Sequence, residues 1–320
     1  MKKTLIYLLA AFLLFSCLFF TGCGNKPTAG EAIESNGDNV NMESPNSRTT
    51  QVTVYYADKN GYIVPVQTNI DWSEGIAKAV IRKMMNTPEL QQQLVTMGLE
   101  SLLPPEAAIN GIDITEGLAK IDFATSALTL PNKKAEENFV QGVVLALTAF
   151  PTVEKVQFMF NGYVLETLEH GTEVSLPLSP ADFNVIRSDN SGKETVCVYM
   201  HGTSEEHFNY YVPITAYAAE NDCSTAMDLL MHTKVPELTS SIPENCTLTS
   251  IELIDNTLCL FFNDAFTSLA ADKNAEAAAV RSIALTCAQY YPDTRIKLYA
   301  GNKEYLPTEG IDIPTFSNMI

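Results

Sequence analysis

Val140-Gln141-Gly142-Val143-Val144-Leu145-Ala146-Leu147-Thr148-Ala149-Phe150-Pro151 carries apolar residues at 140, 143, 144 and 147 and closes on a proline. That spacing is one face of a helix, and proline ends it. The pattern returns 140 residues later without a gap, as Val280, Ile283, Ala284 and Cys287, with Pro292 as the stop. Working outward, Val52-Thr53-Val54-Tyr55-Tyr56 returns as Val196-Cys197-Val198-Tyr199-Met200, and Val64-Pro65-Val66 as Val212-Pro213-Ile214. Pro88-Glu89-Leu90 returns as Pro236-Glu237-Leu238, and Ala119-Lys120-Ile121-Asp122-Phe123 as Leu258-Cys259-Leu260-Phe261-Phe262. A period of this length is a whole domain, far longer than a solenoid repeat. The chain is therefore a duplicated globular domain, and what recurs is scaffold first.

Each copy opens with two strands. In copy one, Val52, Val54 and Tyr56 alternate, Asp58-Lys59-Asn60-Gly61 makes a hairpin turn, and Tyr62 to Gln67 returns. Pro65 and Pro213 lack a ladder donor, which places the second strand at a sheet edge. A helix follows through Ala77, Val80, Ile81, Met84 and Met85, with Ser73 as cap and Pro88 as stop; Ala226, Leu229, Leu230 and Thr233 repeat its stripe. A Leu-Pro or Ile-Pro loop, a second hairpin, the helix quoted above and a last strand complete the unit. The expectation is an α+β fold of two tandem repeats, each β-β-α-β-β-α-β, with two helices on one face of a mostly antiparallel sheet.

The first residues describe an address. Met1-Lys2-Lys3 precedes an apolar run from Leu5 to Phe20 and then Thr21-Gly22-Cys23, the form of a cleaved secretory signal. The ending resembles a bacterial lipobox, with Cys23 as the acylated residue; Leu14-Phe15-Ser16-Cys17 is a poorer match, and an uncleaved anchor is the alternative. Residues 24–50 are rich in Asn, Ser, Gly, Glu and Pro and read as a tether that holds the first domain roughly 25–30 Å from the bilayer. The expected divisions are a leader over 1–22, lipidated Cys23 and tether over 23–50, and domains over 51–187 and 193–320. The formal charge is −18 and grows to −20 once Lys2 and Lys3 leave with the leader. That balance excludes a nucleic-acid footprint, and it leaves membrane attachment to the lipid.

The opening Val-x-Val-Tyr-Tyr, the Val-Pro-Val strand, the Leu103-Pro104 loop, the helix ending Leu147 to Pro151 and the strand Val153 to Phe158 together resemble the GerM domain family of sporulation and spore-germination proteins. The resemblance covers residues 50–320; copy two departs from it at Met200 and Phe261. It implies an extracytoplasmic, lipid-anchored and non-enzymatic envelope protein that contacts other envelope or sporulation proteins, or else peptidoglycan. It supplies no catalytic residue. An envelope hydrolase is the rival from a different class.

The chemistry of the chain is consistent with that absence. Five of seven cysteines, Cys197, Cys223, Cys246, Cys259 and Cys287, lie in copy two, and no Cys-x-x-Cys occurs. Cys287 stands where copy one has Leu147 and reads as a core thiol. Cys197 and Cys259 are either cross-strand neighbours or separate thiols. His201-Gly202-Thr203-Ser204-Glu205-Glu206-His207 reads as an exposed turn rather than a metal site, and no cofactor motif is present. The candidate interaction surface is the sheet face opposite the copy-two helices. It carries Cys197, Cys259, Phe261 and Tyr299 where copy one has Thr53, Lys120, Asp122 and Met159. A solvated sheet face normally stays polar, so an apolar one calls for a cover. The candidates for that cover are copy one, the tail through Ile311, Ile313 and Phe316, or a partner.

Overall fold

The computed structural model describes residues 49–71, 75–186, 194–312 and 314–320. All of them fall in one compact unit, Asn46–Ile320. The leader, Cys23, the tether to residue 48, Ser73 and Ile313 lie outside the described residues. Copy one runs β1 (Thr49–Asp58), β2 (Ile63–Asp71), α1 (Ile76–Lys83), α2 (Pro88–Met97), β3 (Leu99–Ser101), β4 (Ile109–Thr115), β5 (Leu118–Phe123), α3 (Lys133–Thr148) and β6 (Lys155–Phe160). Copy two runs β7 (Glu194–Thr203), β8 (Asn209–Ala218), α4 (Cys223–His232), β9 (Leu248–Ile254), β10 (Thr257–Phe262), α5 (Lys273–Ala288), β11 (Arg295–Ala300) and β12 (Lys303–Tyr305). Strand β1 starts at Thr49, two residues inside the expected tether.

The α+β class and the mostly antiparallel pairing are as expected. Each copy, however, divides its strands between two sheets. Copy one has β2-β1-β3 and β4-β5-β6; copy two has β7-β8 and β12-β11-β10-β9. The pairs β5/β6 and β10/β11 are parallel, because a helix carries the chain back across the sheet between them. One helix layer serves both sheets: α3 packs against β1 and β6.

Local chemistry accounts for the elements. The first hairpin turns where Asp58 Oδ1 accepts from the N–H groups of Asn60 and Tyr62, both at 2.9 Å. Gly61 completes it at φ +79°, a conformation that costs a side-chain-bearing residue energy. Helix α1 ends at Lys83, and Pro88 then opens a second helix instead of closing the first. Thr87 Oγ1 caps α2 by accepting from Leu90 N–H at 3.2 Å, and Pro88 at the first position has no N–H to leave unpaired. The same tripeptide in copy two makes a tight turn, with Glu237 at φ +62° and a bridge from Val235 to Leu238. The following residues decide this. Gln91-Gln92-Gln93-Leu94 propagates a helix, whereas Thr239-Ser240-Ser241-Ile242-Pro243 does not.

The duplication holds residue by residue in the core. Val143 and Ile283 are both fully buried, as are Leu147 and Cys287; Val140 and Val280 are 6% and 5% exposed. A second recurrence is polar. Glu136 and Glu276 sit in the first turns of α3 and α5 and are buried. Glu136 accepts from the N–H groups of His170 (2.7 Å) and Thr172 (3.2 Å). Glu276 accepts from Thr308 N–H at 3.0 Å and from the Tyr305 hydroxyl. Each carboxylate lies where the helix dipole favours negative charge, and each clamps the segment that leaves the last strand of its copy.

One substitution between the copies makes stability depend on pH. His201 on β7 occupies the place of Ala57 and is 4% exposed. Its Nε2 meets Ser241 Oγ at 2.7 Å, while Nδ1 has no partner. Burial lowers its pKa from 6.5 to about 4. The unfolded histidine takes up a proton near 6.5 and the folded one only near 4, so stability is full above pH 6.5 and falls as pH drops towards 4. The loss expected from that shift is about 3 kcal/mol. Urea melts at pH 7 and pH 4.5 measure it, and His201→Ala, which installs the copy-one residue, flattens the difference. An unchanged difference in that variant refutes the assignment.

Candidate functional site

The two edges marked by Pro65 and Pro213 face each other, and the chain closes them itself. The segment after copy one adds to β8: Ile186 N–H donates to Thr215 O at 3.0 Å, and Thr215 N–H to Asn184 O at 3.2 Å. The C-terminal segment adds to β2: Gln67 N–H donates to Asn318 O at 2.8 Å, and Ile320 N–H to Gln67 O at 3.0 Å. Each tail thus extends the other copy's edge.

Two asparagine side chains complete the junction in the same way. Asn184 Oδ1 accepts from Ile63 N–H (2.8 Å), and its Nδ2 donates to Ile63 O (2.7 Å) and Pro213 O (2.9 Å). Asn318 Oδ1 accepts from Tyr211 N–H (2.7 Å), and its Nδ2 donates to Tyr211 O (2.8 Å) and Pro65 O (2.8 Å). A proline leaves a carbonyl at an edge with no N–H beside it, and a primary amide supplies the donor such a place needs. Tyr210 adds a buried contact across the copies by donating its hydroxyl to Asp58 Oδ2 at 3.1 Å. The prolines therefore mark edges that are closed against each other inside the chain.

Beside the junction lies a cleft of about 430 Å³ lined in matched pairs. Thr53 faces the role of Cys197, Tyr55 that of Tyr199, Pro65 that of Pro213, and Phe183 and Phe316 come from the two tails. Phe183 meets Tyr55 edge-to-face at 6.3 Å. Burial, with Asp182 nearby, pushes the Cys197 thiol up to about 12, and burial pushes Tyr55 up to about 12. Both are held protonated at neutral pH, so Tyr55 offers a ring face and a hydroxyl donor and Cys197 a weak S–H donor.

The sequence-selected face is thereby divided. Cys197 is on the β7/β8 hairpin, in the cleft, and Cys259 is on β10 in the other sheet, so they are not cross-strand neighbours. Cys259, Phe261 and Tyr299 do come together. Phe261 on β10 pairs with Tyr299 on β11, and their rings stack at 4.6 Å with 19° between planes. Both are partly exposed, while Cys259 is buried beside them. Lys297 and Glu304 form an exposed ion pair at 3.0 Å on the same side. The tail, one of the three candidate covers, is engaged beside Cys197 and on the core: Phe316 lines the cleft with Cys197 and lies 5.6 Å beneath the Arg281 guanidinium, and Ile311 packs on the core. In copy one the matching face is a polar network. Asp122 accepts from Asn110 Nδ2 and Gly162 N–H, and buried Gln157 donates to Val174 O.

His201 and His207 do not form a metal site. His201 is buried on β7, whereas His207 is exposed at the hairpin tip. Among the described residues no group of three or more His, Cys, Asp or Glu is placed to hold a metal ion. Nor, among them, is any helix long and apolar enough to cross a membrane. The asparagines and the buried glutamates escaped the sequence reading. Their signal was a shared position: an aromatic residue shortly before Asn at the end of each copy, and an acid in the first turn of each long helix.

The family model described as "Germane: Sporulation and spore germination" matches residues 53–166 and again 197–306. The spore germination protein GerM of Bacillus subtilis strain 168 is 27% identical over 288 residues, covering 86% of this chain and 77% of that protein. The solved tandem GerMN domains of the Bacillus subtilis sporulation protein GerM align with TM-score 0.64 and 26% identity, over 85% of this chain and 99% of theirs. With the model matched once in each copy, the chain belongs to the Germane family and carries its domain twice.

Proposed function

We propose that this chain serves sporulation or spore germination as an extracytoplasmic protein, tethered through a lipid on Cys23 and working by protein–protein contact without catalysis. Its likeness to GerM across both copies supports the biological setting. The leader and lipobox support the tether. The observation that carries the contact reading is the Phe261–Tyr299 stack: a partly exposed aromatic pair on a sheet face whose copy-one counterpart is polar. Aromatic residues with a polar rim are the usual anchors of protein interfaces. Rings stacked on each other leave less free face for a sugar than rings side by side, which favours a protein over peptidoglycan. The buried carboxylates Glu136 and Glu276, with the buried Asn318 and the half-buried Asn184, are engaged in holding segments together, which supports a non-catalytic reading.

The test is allelic replacement in the native host. Phe261→Asp should melt like the parent yet lose heat-resistant or germinating spores, with Tyr299→Lys reproducing the loss. Cys23→Ser should release the protein from the membrane fraction. Wild-type spore yield and germination from both surface variants at normal protein level would refute the surface. A Cys23→Ser chain that stays lipid-labelled would refute the anchor.

A further inference from the structure

Cys223 and Cys287 touch, with Sγ–Sγ 3.7 Å, and Met227 Sδ lies 3.8 Å from Cys287 Sγ. No other pair of cysteine sulfurs among the described residues is in hydrogen-bond contact, and all five cysteines there are thiols. Cys223 is the first residue of α4, after the exposed cap Asp222; Cys287 is the last residue but one of α5 and fully buried. Copy one has no cysteine at either end of this contact. Copy two in turn has no counterpart of α2, because residues 233–247 form no helix. Its hairpin depends more heavily on α5, through Thr286 Oγ1 accepting from Tyr199 N–H (3.0 Å) and Gln289 Nε2 donating to Cys197 O (2.8 Å). Tyr290 closes the same corner by donating its hydroxyl to Asn221 Oδ1 at 2.7 Å.

We infer that Cys223 and Cys287 are a disulfide site that staples α4 to α5 in the mature protein outside the cytoplasm. The sulfurs already touch at 3.7 Å, and closing to the bonding distance of about 2 Å forms the bond. The oxidant is a protein disulfide of the thiol-oxidoreductase class. The Cys223 thiolate attacks one donor sulfur and forms a mixed disulfide, and the other donor sulfur leaves as thiolate. The Cys287 thiolate then attacks Cys223 Sγ and displaces the donor. Two electrons pass to the donor, and the two protons lost by the cysteines end on its thiols. Cys223 is the first nucleophile, since it adjoins the exposed loop and its contact with Cys287 lowers its pKa, while that contact and burial raise the pKa of Cys287. Because the bond encloses a buried contact, it forms during folding after export.

The inference rests on the extracytoplasmic placement proposed above, which protease accessibility of intact cells checks separately. The full chain is recovered from acid-quenched cells, alkylated under denaturing conditions and mapped by mass. The expected result is a Cys223–Cys287 cross-linked peptide, with Cys197, Cys246 and Cys259 alkylated. Reduction should then lower the melting temperature by roughly 10 °C, and not do so in Cys223→Ala. Alkylation of both Cys223 and Cys287 in protease-accessible protein, or a cross-link from either to another cysteine, overturns the inference.

Discussion

Replacing Asn184 and Asn318 together by alanine is expected to remove roughly 5 kcal/mol of stability and to uncouple the two copies. Each amide makes three hydrogen bonds, one accepted and two donated, to backbone on both facing edges. Losing Asn184 takes the amide partner from Pro213 O and from both polar groups of Ile63, and losing Asn318 takes it from both polar groups of Tyr211 and leaves Pro65 O with only the Ser317 hydroxyl at 3.2 Å; each loss costs about 2–3 kcal/mol. The loss in the double variant should fall short of the sum of the single losses, because each tail holds the edge on which the other depends and one loss already weakens both. Urea midpoints of the two single variants and the double variant give the coupling. A protease site placed between residues 186 and 194 gives the second readout. The parent, once cut, should still elute as one species, because the tails bind each copy to the other, while the double variant should separate. Single variants that unfold at the parental midpoint would show that the junction is held by something other than the asparagines.

Glu276→Ala is expected to cost about 3 kcal/mol, since it orphans the Tyr305 hydroxyl and Thr308 N–H and leaves a buried space. Burial works against the Glu276 charge, but the hydrogen bonds from Thr308 and Tyr305 prevail and hold its pKa below the usual 4.5. The folded carboxyl therefore gives up its proton more readily than the unfolded one. Its stabilisation is complete above pH 4.5 and disappears as pH falls through the folded value. Denaturation midpoints from pH 6 to pH 3 should fall for the parent, and the Glu276→Ala curve should lose the part of that fall below 4.5. The fall that His201 causes lies at higher pH and should persist in this variant. A parental pH profile in Glu276→Ala would show that the clamp is not electrostatic.

The duplication was legible because core packing constrains spacing. Val140, Val143 and Leu147 must meet one buried surface, and so must Val280, Ile283 and Cys287, so the stripe survives when individual side chains change. The hairpin turn was legible because Gly61 must take a positive φ. Pro88 misled because proline has two helical meanings, stop and first residue, and only the residues after it distinguish them. The division of each copy into two sheets was not legible, because alternation shows which face of a strand is buried and not which strand lies beside it.

The site divides along the same line. The sequence determined the α+β class, the tandem copies, the strands that end as edges and the apolar change from Asp122 to Phe261, since all of these are local patterns of burial and backbone freedom. Tertiary structure alone decided that Cys197 leaves the company of Cys259, that the two proline edges are closed against each other, and that Cys223 meets Cys287. Those outcomes depend on contacts between residues 64 to more than 100 positions apart. An asparagine that completes another strand's hydrogen bonds reads, along the chain, as an ordinary loop residue.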